Sequence, residues 1–163
     1  MAASIAFRLS GGSGNTDPAA SLGGVMSSTA VGTNTLFDTV SAAEALAGDT
    51  EYRCFFIYND GDKSLTNVRL WISDEPATGT YALALDGNGK NADAEVESDE
   101  STAPTGETFD DTLNPIGNAI TVPDLAAGDR HAVWARRVIG ASTAGVALAS
   151  NAAEFRVDYE YIP

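Results

Sequence analysis

The sequence predicts an all-β protein folded as an antiparallel sandwich. Short runs with period-two alternation of apolar and polar residues recur along the chain. Turn chemistry separates them, as in Asn59-Asp60-Gly61-Asp62 and Ala126-Ala127-Gly128-Asp129. At 163 residues and 44% hydrophobic content, the chain has the size and composition of one globular domain.

Taken in order, Ile5 to Leu9 reads as a short first strand. From Ser10 to Asn34 the chain is mostly Gly, Ser, Thr, Asn and Ala, which predicts an extended N-terminal arm over residues 1–34. Ordering its backbone costs ~1–2 kcal/mol per residue, tens of kcal/mol in all. Burying Leu22, Val25, Met26 and Val31 returns only about 6–12 kcal/mol. The expectation is therefore an arm that docks on another chain, with lying along its own body as the alternative. The body, residues 35–163, is expected to open with a short strand at Leu36 to Val40. Ser41-Ala42-Ala43-Glu44 then matches a helix capping box, and Gly48 stops that helix after one or two turns.

Glu51 to Tyr58 (EYRCFFIY) is too apolar to alternate and reads as a central strand buried on both faces. Asn59 to Asp62 makes a hairpin or a tight corner into Thr66 to Ser73. There Val68, Leu70 and Ile72 oppose Arg69 and Trp71. Thr80 to Asp86 sets Tyr81, Leu83 and Leu85 against Ala82 and Ala84. Ala119 to Val122 adds a short strand. His131 to Val138 places Trp134 on one face with Arg136, and Glu154 to Tyr161 alternates to the end. Seven or eight such strands fit two packed antiparallel sheets, immunoglobulin-like in pattern.

Charge and chemistry exclude more than they assign. Nine basic against 23 acidic residues give −14, against a nucleic-acid-binding surface. No run reaches the ~18 apolar residues of a membrane span, and Met1 to Leu9 lacks the pattern of a signal peptide. Between Asn91 and Asp129 lie ten acidic residues and no Lys or Arg. That stretch reads first as a solvated connecting loop, and second as a surface for a cation or a partner. Cys54 is the one cysteine and His131 the one histidine. They leave no disulfide framework, no zinc cluster and no Ser-His-Asp set. Cys54, in the most apolar segment, is expected to be buried and unpaired.

Gly11-Gly12-Ser13-Gly14 and Leu22-Gly23-Gly24 lack the Lys and Ser/Thr of a phosphate loop. Asp86, Asn88, Lys90 and Glu97 match EF-hand positions 1, 3, 5 and 12. Lys90 puts a cation where an oxygen belongs, and Asn91 replaces the turn glycine, so an EF-hand is rejected. A looser calcium site among Asp93, Glu95, Asp110 and Asp111 stays open. Carboxylate pairs for glycoside hydrolysis are present only as an acid-rich loop supplies them by chance. No catalytic residue, cofactor or metal is assigned.

Four segments together resemble accessory structural proteins of tailed bacteriophages. They are FRLSGGSGNTDPAASLGG (Phe7 to Gly24), AGDTEYRCFFIYNDG (Ala47 to Gly61), LTNVRLWIS (Leu65 to Ser73) and DLAAGDRHAVWARRV (Asp124 to Val138). The resemblance implies a non-enzymatic virion component, a sandwich mounted on a larger assembly. Its partners would be other virion proteins, major capsid or tail, in many copies, with neither nucleic acid nor membrane, and its location the virion assembled in the host cytoplasm. Capsid decoration is expected first, and attachment at the tail, neck or fibre next. From another class, a free carbohydrate- or calcium-binding module is the alternative. The residues expected to meet a partner are Phe7, Leu9, Leu22, Val25 and Met26 of the arm, with Trp134 and Arg136 on the body, since aromatics beside Arg are enriched at interfaces.

Overall fold

In the computed structural model, which describes residues 2–32, 35–76, 79–111, 115–142 and 153–161, nine strands and one short helix form an antiparallel β-sandwich. The strands are β1 (Ala6–Leu9), β2 (Gly23–Gly24), β3 (Asp49–Tyr58), β4 (Leu65–Asp74), β5 (Gly79–Leu85), β6 (Ala94–Val96), β7 (Ile120–Thr121), β8 (Arg130–Ile139) and β9 (Glu154–Tyr161). Helix α1 (Ala42–Ala47) carries the expected capping box: Ser41 accepts from the Glu44 amide, and the Glu44 carboxylate accepts from the Ser41 amide.

One sheet runs β1-β3-β8-β5 and the other β7-β4-β9, with β2 and β6 pairing as a separate ribbon. The central pair is β3 with β8, in register from Asp49↔Ile139 to Tyr58↔Arg130. Alternation decides what each face of β3 does. Phe55 and Ile57 point into the space between the sheets, where they meet Leu65, Val68, Leu70, Ile72, Leu83 and Val133. Cys54 and Phe56 point the other way and form a second core with Ala84, Ala94, Ala132 and Trp134. A strand buried on both faces needs a cover on each side, so a third layer lies outside the first sheet.

Asn59-Asp60-Gly61-Asp62 is the corner between the sheets, because β3 and β4 belong to different ones. Asn59 Nδ2 holds that corner by donating to the carbonyls of Lys63 and Leu125, while its Oδ1 accepts from Gly61.

Three expectations are corrected. Residues 2–32, expected to dock on another chain, take the alternative course and lie along their own body, while Met1, Thr33 and Asn34 lie outside the described residues. β1 pairs with Phe55 to Tyr58 of β3, and the returning segment hydrogen-bonds to the outer edge of β1 through Ser27 N to Leu9 O, Leu9 N to Thr29 O and Val31 N to Phe7 O. Where β1 stops, Ser21 takes over: its carbonyl accepts from Cys54 N, and its hydroxyl and that of Ser10 both donate to Cys54 O. Ser10, Ser21 and Ser27 are buried. Counting large side chains missed this, because hydroxyls and backbone amides, not apolar area, anchor the segment.

Leu36 to Val40, expected as a strand, is an irregular segment with Leu36, Phe37 and Val40 buried. Arg137 holds it by donating to the Asp38 carbonyl and carboxylate at 2.7 and 3.0 Å. The acidic stretch is no mere connecting loop. Its carbonyl at Glu100 accepts from Tyr52 N on β3, and Asp110 exchanges both backbone bonds with Leu83 on β5. Residues 100–110 thus join the two sides of the first sheet across its outer face.

Candidate functional site

The third layer is built from what the sequence scattered: residues 10–31 of the first segment and the acidic stretch. Their meeting point is the β2–β6 ribbon, where Gly23 pairs with Val96 and Gly24 with Ala94. Gly23 has a φ of +93°, and a Cβ there would stand 1.6 Å from the Glu95 carbonyl oxygen, so only glycine permits the pairing. Further bonds from Glu97 N to Leu22 O, Gly11 N to Gly23 O and Gly12 N to Val25 O hold the ribbon on both sides.

The expected partner-facing residues divide between three environments. Leu9 is buried and Phe7 half-buried in the core between the sheets, where the Phe7 ring meets Phe55 edge-on at 5.5 Å. Trp134 is fully buried in the second core, and its Nε1 donates to Asp86 Oδ2 at 3.0 Å. Leu9 and Trp134 are therefore core residues of this chain and not available to a partner, because strand parity turns Leu9 into the space between the sheets and Trp134 under the outer cover. Met26 packs half-buried against the second core, and Leu22 is half-buried in the ribbon. Val25 stands 44% exposed, and Val96 on β6, which sequence reasoning passed over, 70% exposed. The Val96 side chain lies over Gly24. Arg136 shares the outer face with Trp134, its guanidinium carbon 5.2 Å from the centroid of Phe109 in the acidic stretch.

Electrostatics differ across this layer. Arg130 pairs with Asp93 and Arg53 with Glu100, while Lys90 pairs with Asp129. Glu95, Glu97 and Asp99 have no cation partner among the described residues. Desolvation, then the charges of Glu95 and Asp99, raises the Glu97 carboxyl above its ordinary value. Hydrogen bonds from Ser101 and Thr102 lower that of Asp99.

Chemistry at the other candidate groups is spoken for. Asp86, first in the rejected EF-hand pattern, accepts from Trp134 and from the amides of Asn88 and Glu95. Among the described residues no three His, Cys, Asp or Glu side chains group closely enough to hold a metal ion. His131 is buried with Nδ1 2.9 Å from the Ala132 carbonyl. Cys54 is buried and free, as expected, and burial pushes its thiol far up, into the protonated state.

The feature that sequence reasoning missed is a charged cluster at one end of the inter-sheet space. Glu51 on β3 faces Arg137 on β8 in register, and both are buried, as is Arg53. Arg137 Nε donates to Glu51 Oε2 at 2.6 Å, and Arg53 reaches Glu100. Both guanidinium groups lie over the Phe37 ring, that of Arg137 at 4.9 Å and that of Arg53 at 5.8 Å from its centroid. Burial pushes the Glu51 carboxyl up to about 7 against the pull of Arg137. The available signal was parity: Glu51 and Arg53 share the inward-facing set with Phe55 and Ile57.

Compared with family models, curated proteins and solved structures, the chain gives no match.

Proposed function

We propose that this chain is a non-enzymatic structural protein of a tailed-phage particle, an immunoglobulin-like sandwich that decorates or cements the capsid surface. The observation that carries this reading is how the resembling segments assemble. Phe7 to Gly24, Ala47 to Gly61, Leu65 to Ser73 and Asp124 to Val138 contain β2 and β3 whole and all but one residue each of β1, β4 and β8. They bond directly to one another, through Cys54 N to Ser21 O, Asn59 N to Asp129 O and Leu65 N to Leu125 O. The resemblance therefore covers one continuous scaffold, not scattered strings.

Attachment by a free arm loses its support, since residues 6–31 spend their backbone bonds on their own domain. Binding falls instead to the outer surface, multiplied by copy number. Mass spectrometry of purified particles tests the reading, with heads and tails separated before digestion. The chain is expected in the head fraction at many copies per particle. Recovery with tails would move it to the tail, neck or fibre, and absence from both would end the virion reading in favour of a free binding module.

A further inference from the structure

We propose that the β2–β6 ribbon, with Val96 at the end of β6, Val25 just after β2, and Glu95, Glu97 and Asp99 along the same stretch, docks on a protein surface with an apolar centre and a Lys/Arg-rich rim. The proposal rests on the virion reading and names the chemistry of the partner. Four large apolar side chains are well exposed among the described residues, and two of them belong to this ribbon and its flank: Val96 ends β6 opposite Gly23, and Val25 follows Gly24 directly. The other two, Leu46 and Tyr161, stand on α1 and β9. Aliphatic side chains held in water on a fixed backbone are the arrangement a partner rewards most, because little entropy remains to be lost. The backbone here is fixed by Gly23 and by the bonds of Leu22, Gly23 and Val25 to their neighbours.

Charge chooses the occupant. Arg130 and Arg53 are committed to Asp93 and Glu100, and Arg136 in the cover lies over the Phe109 ring. Glu95, Glu97 and Asp99 leave a negative margin that a basic rim neutralises. A second copy would bring the same three carboxylates against themselves, on a chain of net charge −14. A metal ion is a poorer occupant, since Asp99 already accepts from Ser101 and Thr102, and Glu95 from the Thr105 amide.

The test uses full-length protein and two probes, head shells and tails purified from particles of the encoding phage that lack this chain. Binding is measured by co-sedimentation at low and high salt, for wild type, for Val25→Ser/Val96→Ser and for Glu95→Gln/Glu97→Gln/Asp99→Asn. Circular dichroism verifies that both variants fold. Wild type is expected to bind one probe and to weaken with salt. The serine variant should lose about tenfold in affinity. The amide variant should bind more weakly at low salt and lose most of the salt dependence. Wild-type binding that neither variant changes overturns the ribbon as the docking surface while leaving the virion reading intact. Salt-dependent self-association that Val96→Ser abolishes, seen by analytical ultracentrifugation, would replace the basic partner with a second copy and overturn the proposal. No binding of wild type to either probe overturns both.

Discussion

Glu51 sits between two buried arginines, where burial and the neighbouring charges act on its carboxyl in opposite directions. Burial disfavours its charge, Arg137 favours it, Asp38 opposes it again, and burial wins. The ordinary value of 4.5 rises to about 7. Over the interval between those values the folded protein keeps a proton that the unfolded chain has released. The contribution of this group to stability is therefore complete below pH 4.5 and is lost as the pH rises through about 7. Urea unfolding at pH 5 and pH 8 measures it. The fall in unfolding free energy between the two should be about 2–3 kcal/mol larger in wild type than in Glu51→Gln. Equal falls would mean that Arg137 holds the carboxylate ionised throughout. Tyr81, nearby on β5, is likewise pushed up to about 12 by burial and stays protonated across this range.

Among the elements, β1 and the segment that returns along it matter most. β1 covers only Phe55 to Tyr58 of β3, so the rest of that edge depends on Ser21 and Glu100. Unpaired backbone groups on a buried central strand are costly, and an open edge invites pairing with other chains. Removal of residues 1–34 would expose the β3 edge and strip Leu9 from one core and Met26 from the other. The truncated chain is expected to lose its cooperative fold and aggregate, where a dispensable arm would leave a soluble sandwich. Near-ultraviolet circular dichroism and size-exclusion chromatography decide between them. On β4, Asn67 adopts a φ of 51° at a register shift between Thr66 and Arg69, which lets Leu65 and Val68 both face inward despite their odd spacing.

For the whole molecule, the layer order is second sheet, first sheet, outer cover, with β3 and β8 buried in the middle. Because the cover draws on both residues 10–31 and residues 94–110, it ties the start of the chain to its centre. Such cross-connection predicts one folding unit and not an arm plus a body. Thermal unfolding followed by Trp fluorescence, which reports Trp71 on β4 and Trp134 in the second core, should coincide with unfolding followed by far-ultraviolet circular dichroism. A separate early transition confined to residues 6–31, seen by hydrogen exchange, would restore the two-part description.

The sequence by itself determined the fold class, the five long strands, the capped helix and the buried state of Cys54, because period-two alternation and capping are local physics. EYRCFFIY announced a doubly buried strand from its composition alone, and the structure supplies both cores. Tertiary structure alone decided the fate of the two polar segments. Gly- and Ser-rich residues 10–31 carry no periodic signal, and their order comes from hydroxyls and amides meeting Cys54, Leu9 and Glu97 from far along the chain. Likewise the Glu51–Arg137 contact spans 86 positions. Val96 in the acidic stretch becomes a surface feature only when Gly23 and Gly24 are brought beneath it. Hydrogen bonds between distant polar residues leave no pattern in a one-dimensional sequence, since each partner is as content with water until the chain closes around it.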